Sequence, residues 1–258
     1  MLLSILLLPV AFLITSAAPT VVVNPPLGLL CKKAAFILAG DSTTATISAT
    51  GGGWGDGFKN YTLISPSFAE NHGVNGESTK TYVEIGEWGR VLDATTKYAS
   101  DFRVYVTIQF GHNDQKLVNF ETQFQENLKK MVADVKSAGG IPVLVTPLSR
   151  RNFNPDGSIS DKLAPWAGYT QAVAKETNTL TIDLWKTSLE FLEHVGEFQA
   201  RRMDLADGDH THLNAAGSIV FGRMVSDLLV RGIEEPVACV TKKNVTMSAY
   251  IDMGIMPF

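Results

Sequence analysis

The sequence is poor in several things on which whole classes of protein depend. It has 2 cysteines in 258 residues, too few for a disulfide-dense scaffold or a four-cysteine zinc site. Lys and Arg number 22 against 26 Asp and Glu, for a net charge of -4. A nucleic-acid-binding domain needs a basic surface, and this balance argues against such a partner. A mildly acidic polymer stays compatible as a substrate, because the local charge of a cleft matters more than the total. No HExxH helix, Walker loop or dinucleotide fingerprint occurs, so the motifs of zinc proteases and nucleotide binders are missing. Internal repeats and low-complexity linkers are missing too. Charged residues make up 19% and hydrophobic residues 45%, which suits one ordinary globular domain with one good core.

A long apolar run occurs at the start of the chain, in residues 2–14. It is too short to span a bilayer and is followed by small residues, so residues 1–17 read as a signal peptide. Pro19 disfavours cleavage after Ala18, which leaves Ala17. The segment lacks Lys and Arg before the apolar run, and a short membrane anchor is the competing reading. Residues 18–33 then form a lead-in and residues 34–258 a single domain with an irregular C-terminal tail. Cys31 and Cys239 bracket that domain. A disulfide between them would tie its ends together, as expected outside the cytosol; two separate buried thiols are the alternative. Asn60-Tyr61-Thr62 and Asn244-Val245-Thr246 are glycosylation sequons and add a little to the same expectation. The expected product is a secreted, extracellular monomer with no membrane partner.

Residues 34–39, 70–74, 103–110, 141–146 and 179–184 carry strand patterns, the second weakly. Helical spacing of Phe120, Phe124, Leu128, Met131, Val132 and Val135 predicts a helix with Asn119 as its N-cap, ended by Gly139-Gly140. Residues 78–98, 163–177 and 215–230 also read as helices. Strand and helix in alternation predict a doubly wound α/β domain with a parallel sheet.

Polar residues follow two of these strands, and a third polar group precedes a helix. Gly40-Asp41-Ser42-Thr43 stands behind the first strand, at the sheet edge where open α/β folds bind ligands. Gly111-His112-Asn113-Asp114 follows the strongest strand, and Asp209-His210-Thr211-His212 precedes the last helix. Asp209 and His212 are spaced so that one turn can hold both. An aspartate can then fix an imidazole whose other nitrogen faces a serine, the arrangement of an acyl-transfer triad. Donors for an oxyanion are the Ser42 backbone N–H at an expected helix start, Gly76 in a loop, and the Asn113 amide.

Each residue also has a plainer reading. Ser42 suits a helix N-cap, and Asn113 with Asp114 an Asx-turn. His112 is assigned no role beyond packing or loop hydrogen bonding. Asp207, Asp209, His210 and His212 could hold a metal, though a hydrolytic zinc site needs three ligands and an open position. Asp207 is a rival for the triad acid, at a less suitable offset. Trp54, beside a glycine run, is either a core residue or a stacking surface for a sugar. Arg150 and Arg151 follow a strand, where one could meet a uronate carboxylate or lie in a solvated loop.

The ordered set GDST, VNGES (74–78), GHND and DHTH resembles the four blocks of the SGNH, or GDSL-type, hydrolases. With GGWGDGF (52–58), TPLSRR (146–151) and DHTHLN, it resembles the rhamnogalacturonan acetylesterases in particular, over residues 34–232. That resemblance implies a three-layer α/β/α fold with a flavodoxin-like five-stranded parallel sheet, secretion, and no cofactor or metal. It implies Ser42 as nucleophile, His212 as base, Asp209 as its orienter, and Ser42, Gly76 and Asn113 as the oxyanion hole. Gly73 is close enough in sequence to be mistaken for Gly76. The implied substrate is an acetylated pectic polysaccharide. Acetylated xylan, a lipid ester, and a non-catalytic glycan-binding role on the same scaffold are the alternatives.

Overall fold

Strand β1 (Ala34–Gly40) is buried along its whole length, which requires an interior strand in a sheet covered on both faces. The computed structural model describes residues 31–49, 51–160, 162–233 and 235–258; the expected signal peptide lies outside them. After β1 come β2 (Thr46–Ser48), β3 (Gly51–Gly52), α1 (Gly55–Tyr61), β4 (Phe68–Asn71), α2 (Thr79–Glu84) and α3 (Glu87–Tyr98). The middle of the chain forms β5 (Arg103–Gln109), α4 (Glu121–Ser137), β6 (Ile141–Val145), α5 (Ala164–Glu176) and β7 (Leu180–Ile182). It closes with α6 (Leu184–Arg201), β8 (Leu213–Asn214), α7 (Ala215–Ile233), α8 (Glu235–Ala238) and α9 (Val245–Asp252).

The main sheet has the order β4-β1-β5-β6-β7, all parallel. This is the flavodoxin-like order, and its topological switch lies between β1 and β5. Alternation along β1 sends Phe36 and Leu38 into the layer formed with Phe58, Phe221 and Val225. Ala35, Ile37 and Ala39 face the other layer, with Tyr82, Trp88, Phe124 and Trp166. The α/β/α expectation therefore holds.

Several boundaries moved. β4 begins earlier than the expected strand, but residues 72–74 still run along β1: His72 N–H donates to Leu38 O at 2.8 Å and Val74 N–H to Gly40 O at 3.0 Å. The single helix expected over 78–98 is two helices, because Gly86 takes a left-handed φ of 83°. Asn119 does not cap α4; its φ is 55° and Phe120 holds the N-cap position without a side-chain bond. The tail is less irregular than expected, since α9 packs on α7 and Arg231 pairs with Asp252 at 2.7 Å. Cys31 and Cys239 form a disulfide, with Cα atoms 5.9 Å apart and 208 residues between them in sequence. Among the described residues, no helix is long and apolar enough to cross a membrane.

Candidate active site

β1 ends at Gly40, and the Asp41 carbonyl then closes a turn by accepting the N–H groups of Thr44 and Ala45, both at 3.0 Å. Ser42 stands on this turn and is 5% exposed. No helix begins there, contrary to expectation; the chain turns once and enters β2, and α1 waits until Gly55. Close packing explains the glycine before the turn. A Cβ on Gly40 would lie 2.8 Å from the Gln109 carbonyl oxygen.

A buried polar platform lies beneath the turn. Asp41 Oδ1 accepts the N–H of Thr43 at 2.9 Å and its hydroxyl at 2.8 Å. Gln109 donates from Nε2 to Thr43 Oγ1 at 2.7 Å, while its Oε1 accepts Thr44 Oγ1 and Trp54 Nε1, each at 2.7 Å. His112, also buried, brings Nδ1 to 3.5 Å from Asp41 Oδ2. Burial pushes the Asp41 carboxyl up, but His112 and the Thr43 donors outweigh it and leave the group below its ordinary value. Trp54 is 0% exposed and packs edge-on against Phe58, so its ring has no face for a sugar. Its indole N–H is satisfied inside the core by Gln109, which removes the reason for it to reach the surface.

Far along the sequence from Ser42, Asp209 Oδ2 lies 2.8 Å from His212 Nδ1. Its Oδ1 accepts the N–H groups of Thr211 at 3.1 Å and His212 at 2.9 Å. Partial burial raises the Asp209 pKa, but the donors from His212 and Thr211 win and hold it below the ordinary value. An ionised Asp209 assigns the proton to Nδ1 and leaves the Nε2 lone pair available. Asp207 is exposed, and no hydrogen bond joins it to His212 among the described residues. His210 Nδ1 is engaged by Asp204 Oδ2 at 3.0 Å. No group of three or more candidate ligands gathers for a metal among the described residues.

Backbone pairing connects the two turns. β8 starts directly after His212 and pairs antiparallel with β3, Leu213 opposite Gly52 and Asn214 opposite Gly51. From β3, Gly53 N–H donates to Ala45 O at 2.7 Å and Trp54 N–H to Thr43 O at 2.9 Å. The residue after His212 is thus linked through one short strand to the residue after Ser42.

Asn113 Nδ2 donates to Glu77 O at 2.9 Å and Asn113 Oδ1 accepts Lys116 Nζ at 2.7 Å. The amide is oriented and keeps one N–H proton to spare. Gly76 sits in the same loop as Glu77, exposed, with φ 86°. A Cβ there would touch nothing, so its requirement is conformational. At Gly73 the requirement is steric, because a Cβ would come within 2.5 Å of Ala45 N in the Ser42 turn. The two glycines therefore have separate duties.

Asp114 does more than make an Asx-turn. Its Oδ1 accepts the Thr79 N–H at 2.9 Å and hydroxyl at 2.6 Å, and its Oδ2 accepts Gly111 N–H at 3.1 Å. It clamps the start of α2, close to Gly76, onto the Asn113 loop. Burial pushes its pKa up to about 6, with the Asp41 charge adding to it and the Thr79 donors opposing. Asp114 reads from the sequence only as part of an Asx-turn, and Gln109 has no motif to mark it; a glutamine ending a largely apolar, buried strand is its signal. Arg150 is half-buried, and its Nε is enclosed without a hydrogen-bond partner. Arg151 is fully buried. Both sequon asparagines are exposed, and Asn244 also caps α9 by accepting Met247 N–H at 3.1 Å.

The model of the GDSL-like lipase/acylhydrolase family matches residues 38–218, a span that includes Ser42, Asn113 and the Asp209–His212 turn. The chain belongs to the GDSL-like lipase/acylhydrolase family. As a member of that family it is a carboxylic ester hydrolase. It is 31% identical over 225 residues to the rhamnogalacturonan acetylesterase RhgT of Bacillus subtilis strain 168, covering 80% of this chain and 92% of the relative. A probable rhamnogalacturonan acetylesterase of the same organism, YesY, is 29% identical over 209 residues, covering 77% and 91%. Among solved structures, YxiM of Bacillus subtilis matches with a TM-score of 0.65 and 24% identity, over 78% of this chain and 57% of that one. Axe2, an acetylxylan esterase from Geobacillus stearothermophilus, matches at TM-score 0.55 and 16% identity, over 80% and 96%. These two structural likenesses support the fold of this GDSL-like member.

Proposed function

We propose that the protein is a secreted serine esterase that removes acetyl groups from acetylated rhamnogalacturonan, with no metal or other cofactor. The observation that carries this reading is the 2.8 Å Asp209–His212 contact on a turn tied by backbone pairing to Ser42. His212 Nε2 takes the Ser42 proton as the hydroxyl oxygen attacks the acetyl carbonyl. Asp209 stays ionised and stabilises the imidazolium. The developing oxyanion is met by the N–H groups of Ser42 and Gly76 and the spare Asn113 amide proton. His212 then protonates the departing sugar oxygen, and water activated by the same imidazole releases acetate from Ser42.

Relatives named for rhamnogalacturonan support the substrate, and Arg150 is the cation we assign to a uronate carboxylate. Secretion is supported by the N-terminal segment and by the disulfide. A second reading, acetylated xylan, is favoured by the name of the Axe2 neighbour. Acetate release from acetylated rhamnogalacturonan, xylan and homogalacturonan separates the two. Rhamnogalacturonan is expected to be deacetylated fastest, and a preference for xylan would overturn the substrate while leaving the mechanism intact.

A further inference from the structure

Arg150 and Arg151 are neighbours in sequence but not in environment. Arg150 is half-buried in the loop that follows β6, whereas Arg151 is 0% exposed. Its Nε pairs with Asp204 Oδ1 at 2.5 Å, and the Asp204 side chain is 7% exposed. From that anchor, Arg151 Nη2 donates to the carbonyl of His212 at 2.6 Å and reaches that of Asp209 at 3.4 Å. Its backbone N–H donates to the carbonyl of His210 at 2.9 Å. One residue therefore holds three carbonyls of the turn that carries Asp209 and His212. Nη1 is enclosed and makes no hydrogen bond, so the side-chain grip falls on Nε and Nη2.

The turn needs such a grip. Its residues Asp209 to His212 are all partly exposed, and its regular structure starts only at Leu213. Packing alone cannot fix it. Asp204 supports the same turn twice more: its Oδ2 holds His210, and its backbone bridges to Leu213. Arginine fits this post because a planar fork can face a carboxylate on one edge and a carbonyl on another, which an ammonium cannot do with fixed geometry.

We propose that Arg151 is the positioning residue of the general base: anchored on Asp204, its guanidinium holds the Asp209–His212 turn by its carbonyls and keeps the imidazole aligned with Ser42. It touches neither substrate nor reacting atoms. The inference rests on the assignment of His212 as base.

The test uses the full chain, with p-nitrophenyl acetate as the probe ester. Arg151→Lys keeps the charge and loses the fork; kcat is expected to fall about 10- to 100-fold, the scale of a misplacement near an ångström, with KM nearly unchanged. Guanidinium ion, but not the same concentration of ammonium ion, is expected to restore part of the rate of Arg151→Ala. In a His212→Ala background, Arg151→Lys is expected to cause no further loss, because a residue acting only through His212 has nothing left to position. If neither Arg151 variant folds, Asp204→Asn takes the same three measurements, with ammonium and guanidinium both expected to be inert. A folded Arg151→Lys with wild-type kcat, or an equal loss with and without His212, would overturn the proposal. An active His212→Ala protein would instead remove the base assignment itself, so the two failures are distinguishable.

Discussion

The Ser42 turn and the Asp209–His212 turn are joined through β3 and β8, yet they are held in different ways. The Ser42 turn grows out of β1, the most enclosed strand of the sheet, and rests on side chains that are themselves buried: Asp41, Thr43, Thr44 and Gln109. The Asp209–His212 turn lies at the end of a long excursion from α6, half in solvent, and is held by a buried ion pair and two residues of strand pairing. The nucleophile is thus placed by the core itself, while the base is placed by a bracket attached to the core. Such a division suits an imidazole that must stay aligned yet accessible to an acyl group and to water.

The largest effect should come from the bracketed side. His212→Ala is expected to lower kcat roughly 10⁴-fold or more, with the thermal midpoint little changed, because the side chain is partly exposed and lies outside both core layers. A comparable fall in stability would mean that the turn is part of the core after all, and the contrast would be lost.

Second in size is the disulfide, which lies at the opposite end of β1 from Ser42. Cys31→Ser together with Cys239→Ser should lower stability by about 2–5 kcal/mol, since the closed loop is long. Neither turn depends on the bond, so kcat on p-nitrophenyl acetate should stay within about twofold of wild type over the folded range. A large drop in kcat at a temperature where the variant is folded would break the claim that the turns are locally secured.

Asp114 offers a pH test of the core-held side. Its pKa is pushed up to about 6, so the native state holds this proton more tightly than the unfolded chain does. The resulting stabilisation is complete below about pH 4 and is lost as pH rises through about 6, on the order of 2–3 kcal/mol. Asp114→Asn should remove that slope from urea midpoints measured across the window. Identical pH profiles for the two proteins would show that burial does not strain the carboxylate.

The smallest effect belongs to Gly76. Gly76→Ala places a Cβ in open space but at φ 86°, which costs about 1 kcal/mol of backbone strain. A kcat loss of less than about tenfold is expected, with the acetyl ester KM unaltered.

Much of the fold was legible because β1, β5 and β6 are nearly continuous buried runs, and the chemistry was legible because it sits on short polar turns beside them. GHND and DHTH stood out for that reason. What stayed hidden depends on distance or on brevity. Arg151 and Asp204 are far apart in sequence, and nothing in either segment announces a pair. β3 and β8 are two residues each, too short to show a period, although they carry the link between the two turns. α6 was missed because Asp183, which reads as the end of a strand, is its N-cap, accepting Lys186 N–H at 3.1 Å. Trp54 was ambiguous because a tryptophan beside four glycines looks like a surface loop until its Gln109 partner is known.

Ser42 is the residue proposed to take the acyl group. Rapid acid quench during turnover of p-nitrophenyl acetate, followed by peptide mass mapping, tests this most directly. An acetyl group is expected on the peptide containing Ser42 and none on that peptide in Ser42→Ala. Turnover at the wild-type rate by Ser42→Ala, with no acetylated intermediate on Ser42 in the wild-type protein, would contradict it.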